Sequence, residues 1–412
     1  MESKEKRPVS VVMLGISSYG QYFLKTLLKE FSSDEMELRA VVSRFPERSE
    51  HYSELKDRGT STFHSLSEFY ERGYSADLVV ISSPHHYHVP QTCEALRHGS
   101  HVLCEKPLGA TVQEAEQMIQ TKDTARRWVM IGYQWSYSDA IQALKRDIGL
   151  GLLGKPVRLK TLCLWPRDES YYKRNNWAGR KKDDKGSWIL DSPANNAMAH
   201  FLHNLFYVLG EQVDTSAQPI EVTAELYRAY PIENFDSIAC RVFTDEGVEL
   251  LFYASHAIPQ DQGPMFSFEF EQATVFFGEF KDDIIAKDSL GNEKHYGSPE
   301  ADLQFRKLLE AVAAVREPSP IIICGPEAAF SQTLCVNGIQ ESAPEIVSFP
   351  ESMIQDDVKN RQRWVKGLAE AFYDCYEKGI LPSEASFSWA RRGRAFDLRN
   401  YRFFPGGISP EA

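Results

Sequence analysis

Several absences narrow what this 412-residue chain can be. Apolar runs are short: none approaches the roughly 18 residues that a membrane span needs. Basic charge is scarce relative to acidic, with 46 Lys and Arg against 58 Asp and Glu, a formal net charge of -12. That balance argues against a nucleic-acid footprint, which requires a basic face. Cysteine is sparse and dispersed: seven residues, without paired or metal-type spacing. An odd, scattered set reads as reduced thiols in a cytoplasmic protein. No internal repeat and no low-complexity segment is present. The first residues, Met1-Glu2-Ser3-Lys4-Glu5-Lys6-Arg7, lead straight into a strand pattern, so no secretory leader is expected. Hydrophobic residues at 42% and charged residues at 25% are ordinary for a soluble globular chain. The length allows two or three domains and an ample core.

The N-terminal part alternates strand and helix patterns. Val9 to Leu14 reads as a buried strand, Gly15-Ile16-Ser17-Ser18-Tyr19-Gly20 as a tight turn, and Gln21 to Phe31 as a helix. Glycines occupy the first and last positions of a dinucleotide fingerprint. Gly15 permits the turn, Gly20 lets helix and strand approach, and the helix start offers free amides to a pyrophosphate. The middle glycine is replaced by Ser17, which is small and can donate a hydrogen bond. A second strand, Leu38 to Val42, ends at Ser43-Arg44-Phe45-Pro46-Glu47-Arg48. An acidic residue that would bind a ribose 2′-hydroxyl is missing there. Ser43, Arg44 and Arg48 suit a 2′-phosphate instead, which favours NADP over NAD. The alternative is an arginine on a solvated loop.

A third signal lies at the ends of two later strands. Asp77 to Ile81 runs into Ser82-Ser83-Pro84-His85-His86-Tyr87-His88, and a short strand delivers Cys104-Glu105-Lys106-Pro107-Leu108. In an open parallel sheet, ligands bind beyond the carboxyl ends of the strands. Glu105 and Lys106 are placed to face one, and Pro107 keeps Lys106 extended. Taken alone, Lys106 reads equally well as a surface lysine. Ser82, Ser83, Pro84, His85 and His88 read as cofactor-lining residues. The three histidines lack the further partners of a zinc site, so no metal is expected.

Together these motifs resemble the Gfo/Idh/MocA oxidoreductases, the glucose-fructose oxidoreductase and inositol dehydrogenase family. The matching residues are Gly15 to Gly20, Ser83-Pro84 with His88, Cys104 to Leu108, and Gly132-Tyr133-Gln134. The resemblance implies an α/β protein. Residues 1–130 would form a Rossmann domain with a doubly wound parallel sheet. Residues 131–412 would form a substrate-binding and oligomerisation α+β domain built on a large, mostly antiparallel sheet. Strand-like segments at 157–164, 220–226, 237–243, 248–254 and 266–277 agree with that sheet. The resemblance also implies a homodimer or homotetramer through that sheet. It implies hydride transfer between NADP (or NAD) and a hydroxyl or carbonyl of a sugar or polyol derivative, with neither nucleic acid nor membrane as partner. Some relatives instead are redox-neutral, NAD-dependent glycosidases or non-catalytic nucleotide sensors.

Asp191-Ser192-Pro193-Ala194-Asn195-Asn196-Ala197-Met198-Ala199-His200-Phe201-Leu202-His203 reads as a helix capped by Ser192, starting at Pro193 and stopping near Gly210. A helix over this stretch puts Asn196, His200 and His203 on one face. By the resemblance, His200 matches a catalytic histidine, while Asn196 and His203 stand where the family often carries acids. The alternative is a satisfied histidine pair on a half-buried helix. Ahead of it, residues 165–180 are aromatic and basic. Tyr171 and Trp177 can stack on a sugar face, and Arg174, with Arg167 and Arg180, suits an acidic substituent. The alternative there is a loop covering a sheet edge.

Overall fold

The computed structural model describes residues 7–278, 282–301 and 305–406. The chain divides into two compact units. One comprises the described residues within 1–109, 114–134 and 303–326, the other those within 110–113, 135–302 and 327–412.

The first unit is a six-stranded, wholly parallel sheet ordered β3-β2-β1-β4-β5-β6. Its strands are β1 (Val9–Leu14), β2 (Met36–Val42), β3 (Ser61–Phe63), β4 (Leu78–Ile81), β5 (His101–Cys104) and β6 (Val129–Ile131). β1 and β4 are buried at every residue. A strand covered on both faces is mostly apolar, and these are except for Ser10, whose Oγ donates to Asp77 Oδ2 at 2.6 Å. The strand order reverses direction between β1 and β4, which opens a crevice at their carboxyl ends. The helix Gly20–Lys29 buries Phe23, Leu24, Leu27 and Leu28 on one stripe, at the spacing that faces a sheet. The helix Arg306–Ala314 also belongs to this unit, far from it in sequence.

The second unit is built on a ten-stranded mixed sheet. The strands are β7 (Pro156–Leu164), β8 (Pro219–Arg228), β9 (Ser237–Thr244), β10 (Glu249–Ser255), β11 (Gln262–Phe270), β12 (Ala273–Phe277), β13 (Ile284–Asp288), β14 (Glu293–Gly297), β15 (Val347–Ser348) and β18 (Phe396–Asp397); β16 (Ile354–Asp357) and β17 (Gln362–Val365) form a separate hairpin. The order is β14-β13-β12-β11-β7-β10-β9-β8-β15, with β18 beside β8. Among the described residues of this sheet, only β7 with β10 and β8 with β15 pair in parallel. The apolar stretch 266–277 is two strands, turned at Glu271 and Gln272.

Both faces of the sheet carry apolar side chains. One faces a core that includes Leu144, Met198, Phe201, Leu205 and Val336. The other packs Leu164, Tyr227, Leu251 and Tyr253 against Leu368, Phe372, Tyr376 and Trp389 of the same chain. Each fully buried side chain of this size stabilises by about 1.5–3 kcal/mol. All seven cysteines are buried and unpaired with one another. Among the described residues, no helix is long and apolar enough to cross a membrane, and no group of three or more His, Cys, Asp or Glu is arranged to hold a metal.

Candidate active site

In the first unit the candidate residues gather at the carboxyl ends of β1, β2, β4 and β5. The turn after β1 is clamped between strands: Gly15 N–H donates to Val42 O at 3.1 Å and Ser82 N–H to Leu14 O at 2.9 Å. Gly15 has φ +77°, and a Cβ there would lie 2.6 Å from Ser82 O. A Cβ on Gly20 would lie 1.8 Å from Gly15 O. Both positions therefore exclude any side chain. Ile16 is buried, whereas Ser17, Ser18 and Tyr19 are exposed at the turn's tip. Ser17 thus projects outward without disturbing the turn. The non-glycine residue in the left-handed region is Ser18, at φ +51°, a conformation that costs such a residue about 1–3 kcal/mol and that clusters at ligand-binding turns. The amides that open the helix Gly20–Lys29 bond back into the turn, Gly20 N to Ser17 O at 3.0 Å and Tyr22 N to Tyr19 O at 3.1 Å, so an anion would be met by the main chain at the turn's exposed tip and by the positive end of the helix. The residues present fit a dinucleotide pyrophosphate.

At the end of β2, Ser43 is half-buried and its Oγ accepts from Phe45 N at 3.4 Å. Arg44 is exposed. Arg48 lies over the Phe45 ring at 4.2 Å. Ser83 Oγ donates to Gln91 Oε1 at 2.5 Å. His85 is 7% and His88 1% exposed. His88 spans two carbonyls, Nδ1 to Pro107 O at 2.8 Å and Nε2 to Ser83 O at 2.9 Å, so it bolts the turn after β4 to the turn after β5. Burial holds its pKa below the usual imidazole value, so the neutral ring donates to one carbonyl at a time.

Glu105 is 6% exposed and Lys106 half-buried. The Glu105 carboxylate pairs with Lys307 Nζ, which also donates to Gly132 O at 2.9 Å. The helix Arg306–Ala314 delivers Lys307 to this point, and its side chain is wholly enclosed. A Cβ on Gly132 would lie 2.6 Å from Glu105 Oε1, so glycine is required for the carboxylate to approach. Lys307 gave no sign in the sequence, since 202 residues separate it from Glu105.

In the second unit the residues lie around Asp191. Its Oδ2 accepts from Gly179 N at 2.6 Å, its Oδ1 from Asn196 Nδ2 at 2.7 Å, and its main-chain O from Asn234 Nδ2 at 3.0 Å. Asn196 Nδ2 also reaches Tyr171 Oη at 3.4 Å. The regular helix spans only Ala199–Tyr207, and residues 193–198 form turns. The expected start at Pro193 is therefore corrected by six residues. Asn195 and Asn196 spend their side chains on Ile189 O and Asp191, and such local bonds compete with helix formation. Asn196 precedes the helix that carries His200 and His203.

His200 is half-buried. His203 is 1% exposed, bonded through Nε2 to Ser136 Oγ at 3.0 Å and stacked on Tyr207. Burial, reinforced by the Lys145 cation, pushes its pKa down to about 3, so it is a neutral ring of the core. Arg174 lies over the Tyr171 ring at 3.6 Å and the Trp177 ring at 5.2 Å. The structure thus brings together Asn196, Tyr171, Arg174 and Trp177, and adds Asp191, whose only sequence signal is a lone carboxylate before Ser192-Pro193.

Comparison with known proteins places this geometry. Residues 9–133 match the Gfo/Idh/MocA family, an oxidoreductase family with an NAD-binding Rossmann fold. The rhizopine catabolism protein MocA of Rhizobium meliloti is 31% identical over 100 residues, 24% of this chain and 31% of the relative. Inositol 2-dehydrogenase of Burkholderia ambifaria is 26% identical over 220 residues, 52% of this chain and 57% of the relative. The matched stretches therefore span less than two thirds of either relative. The WlbA dehydrogenase from Bordetella pertussis, solved with NADH and UDP-GlcNAcA, shares the fold at a TM-score of 0.67 and 19% identity, covering 82% of this chain and 97% of that one. With its doubly wound sheet, its glycine turn and its Glu105-Lys106-Pro107 strand end, the chain is similar over residues 9–133 to the Gfo/Idh/MocA oxidoreductases.

Proposed function

We propose that this protein is an NAD(P)-dependent oxidoreductase that moves a hydride between the nicotinamide and a hydroxyl or carbonyl of a sugar or polyol derivative. The observation that carries the reading is Lys106 at the carboxyl end of β5, with Glu105 behind it anchored by Lys307, on a sheet whose β1 turn fits a dinucleotide. The first unit serves as the dinucleotide half and the second as the substrate half. The family's dehydrogenases of sugars and polyols support the substrate class.

The cofactor, when bound, supplies the hydride acceptor or donor. Ile16, Ser17, Ser18 and Tyr19, between Gly15 and Gly20, hold the pyrophosphate through main-chain amides. Ser43 and Arg44, with Arg48 alongside, read a 2′-phosphate, which favours NADP. Ser82, Ser83, Pro84 and His85 line the crevice, and His88 fixes its wall. Lys106 donates to the reacting oxygen and stabilises alkoxide charge as it develops. His200 takes or returns the proton. Asn196, steadied by Asp191, orients the reacting groups, while Tyr171, Arg174 and Trp177 hold the substrate. His203, enclosed with Ser136, positions the helix that carries His200.

The test is a panel of sugars and polyols followed at the reduced-nicotinamide absorbance with NADPH, NADH and their oxidised forms. Turnover with at least one is expected, and Lys106→Ala should lower it about a hundredfold or more while leaving cofactor binding nearly intact. Product formation without net cofactor change would mark a redox-neutral glycosidase instead. Cofactor binding with no turnover on any substrate would mark a nucleotide sensor.

A further inference from the structure

One cavity of the second unit, about 650 Å³, lies beside the substrate-binding residues and is lined by Arg167, Asp168, Tyr171, Arg174, Asn360 and Gln362. Its volume falls in the range of small-molecule sites. The walls are held firmly. Glu169 N–H donates to Arg361 O at 2.9 Å, and Gln362 Nε2 donates to Ile258 O and Pro259 O, each at 3.2 Å. These bonds tie the 165–174 loop and the β16–β17 hairpin to the sheet unit.

The cavity's charge is unbalanced. Arg167 lies 5.0 Å and Arg174 3.6 Å from the centre of the same Tyr171 ring. Their hydrogen bonds go to main-chain carbonyls, Arg167 to Pro166 O at 3.0 Å and Arg174 to Tyr171 O. Among the described residues, neither guanidinium forms an ion pair with a carboxylate. Asp168, the carboxylate nearest in sequence, is committed elsewhere: it caps the helix Glu169–Lys173 by accepting from Tyr171 N at 2.9 Å and from Ser170 Oγ at 2.7 Å. The positive field reaches the interior. His256, buried beside this loop, is pushed down to about 3 by burial and then by Arg167 and Arg174.

Two guanidiniums sharing one aromatic ring repel each other, and a planar fork of donors is matched by carboxylate or phosphate oxygens. We propose that the substrate is an acidic sugar derivative, whose carboxylate or phosphate is held by Arg167 and Arg174 while its ring lies against Tyr171. The hydrogen bond from Asn196 to Tyr171 Oη joins this anion subsite to Asn196 and, through it, to Asp191. The inference rests on reading that face as the substrate site.

The experiment measures binding by calorimetry on the full chain, with and without NADPH or NADH. The probes are glucose, glucuronate and glucose 6-phosphate, which separate a neutral sugar, a carboxylate and a phosphate. At least one acidic probe should bind tenfold or more tightly than glucose, and added salt should weaken that probe alone. Arg174→Gln and Arg167→Gln should each lower its affinity about ten- to a hundredfold, the loss of a charge-assisted contact. Arg174→Lys, which keeps the charge, should recover part of the loss. Lys287→Gln, which removes an exposed partner of Glu293, should change nothing. Equal affinity for the three probes, or an acidic preference that survives both glutamine variants, overturns the anion subsite. Hydride transfer confined to neutral sugars also overturns it while leaving the oxidoreductase reading intact. Arginine-dependent binding of an acidic sugar without hydride transfer to any probe has the reverse meaning.

Discussion

Lys307 pairs with Glu105 inside the first unit, its side chain wholly enclosed, and the same ammonium donates to Gly132 O at 2.9 Å. The contact joins the Glu105-Lys106-Pro107 strand end to the helix Arg306–Ala314. Lys307→Met should leave a buried carboxylate without its cation, at a cost of about 3–5 kcal/mol in denaturant unfolding of the first unit. Adding Glu105→Gln to that variant should recover part of the loss, because no uncompensated charge then remains. A loss below about 1 kcal/mol would mean that water reaches Glu105 readily.

The proposed preference for NADP rests on Arg44. It is exposed just beyond β2, whose end carries no carboxylate. NADPH should bind more tightly than NADH, and Arg44→Ala should weaken NADPH by about 1.5–3 kcal/mol with NADH unchanged. Fluorescence titration of both dinucleotides checks this, and equal affinities in the unaltered protein would sink the idea.

Asn196 sits 2.7 Å from Asp191 Oδ1, so Asn196→Asp would place two carboxylates on one site. They cannot both ionise at that distance, and the pair retains a proton. The folded-state pKa of the shared proton then lies above the unfolded aspartate value of about 3.9. The variant should approach the stability of the parent below that value and lose stability as pH rises through the folded value. Melting temperatures of variant and parent across pH 4–8 (roughly the span between carboxylate and histidine titration) measure this. A constant gap would show that the side chains separate.

His203 and His256 are both buried and both pushed down to about 3, in each case chiefly by burial. Their folded values lie below the unfolded value of about 6.5. Below pH 6.5, therefore, the unfolded chain binds protons that the native chain does not. Stability rises with pH across this window and is lost as pH falls toward 3, by about 1.4 kcal/mol per pH unit for each histidine. His203→Gln and His256→Gln should each flatten the acid limb of unfolding free energy against pH. A limb unchanged in both would assign acid sensitivity to other groups.

The doubly wound half of this protein was legible from local pattern. A short, mostly apolar run such as Val9–Leu14 or Leu78–Ile81, ended by a turn signal, reads as a strand covered on both faces, and Gly20 is required by a contact within its own turn, whereas Gly15 is required by Ser82 of the neighbouring strand end. The strand-end position of Lys106 followed from the same short-range logic. Where side chains bond locally, the pattern misled: Ser192-Pro193 reads as a helix start, yet the asparagines turn to Asp191 and Ile189 and the helix begins at Ala199.

What the tertiary structure alone decided involves partners distant in sequence. Periodicity marks a side chain as buried but does not name what covers it, so the packing of Leu368, Phe372 and Trp389 on one sheet face could not be read from the strands they cover. Nor could the periodicity of the Ala199–Tyr207 helix separate a half-buried His200 from a fully enclosed His203. Lys307 and Glu105 meet only because the chain returns to the first unit after building most of the second. A buried charge needs its counter-charge within hydrogen-bond distance, and only the folded chain sets that distance.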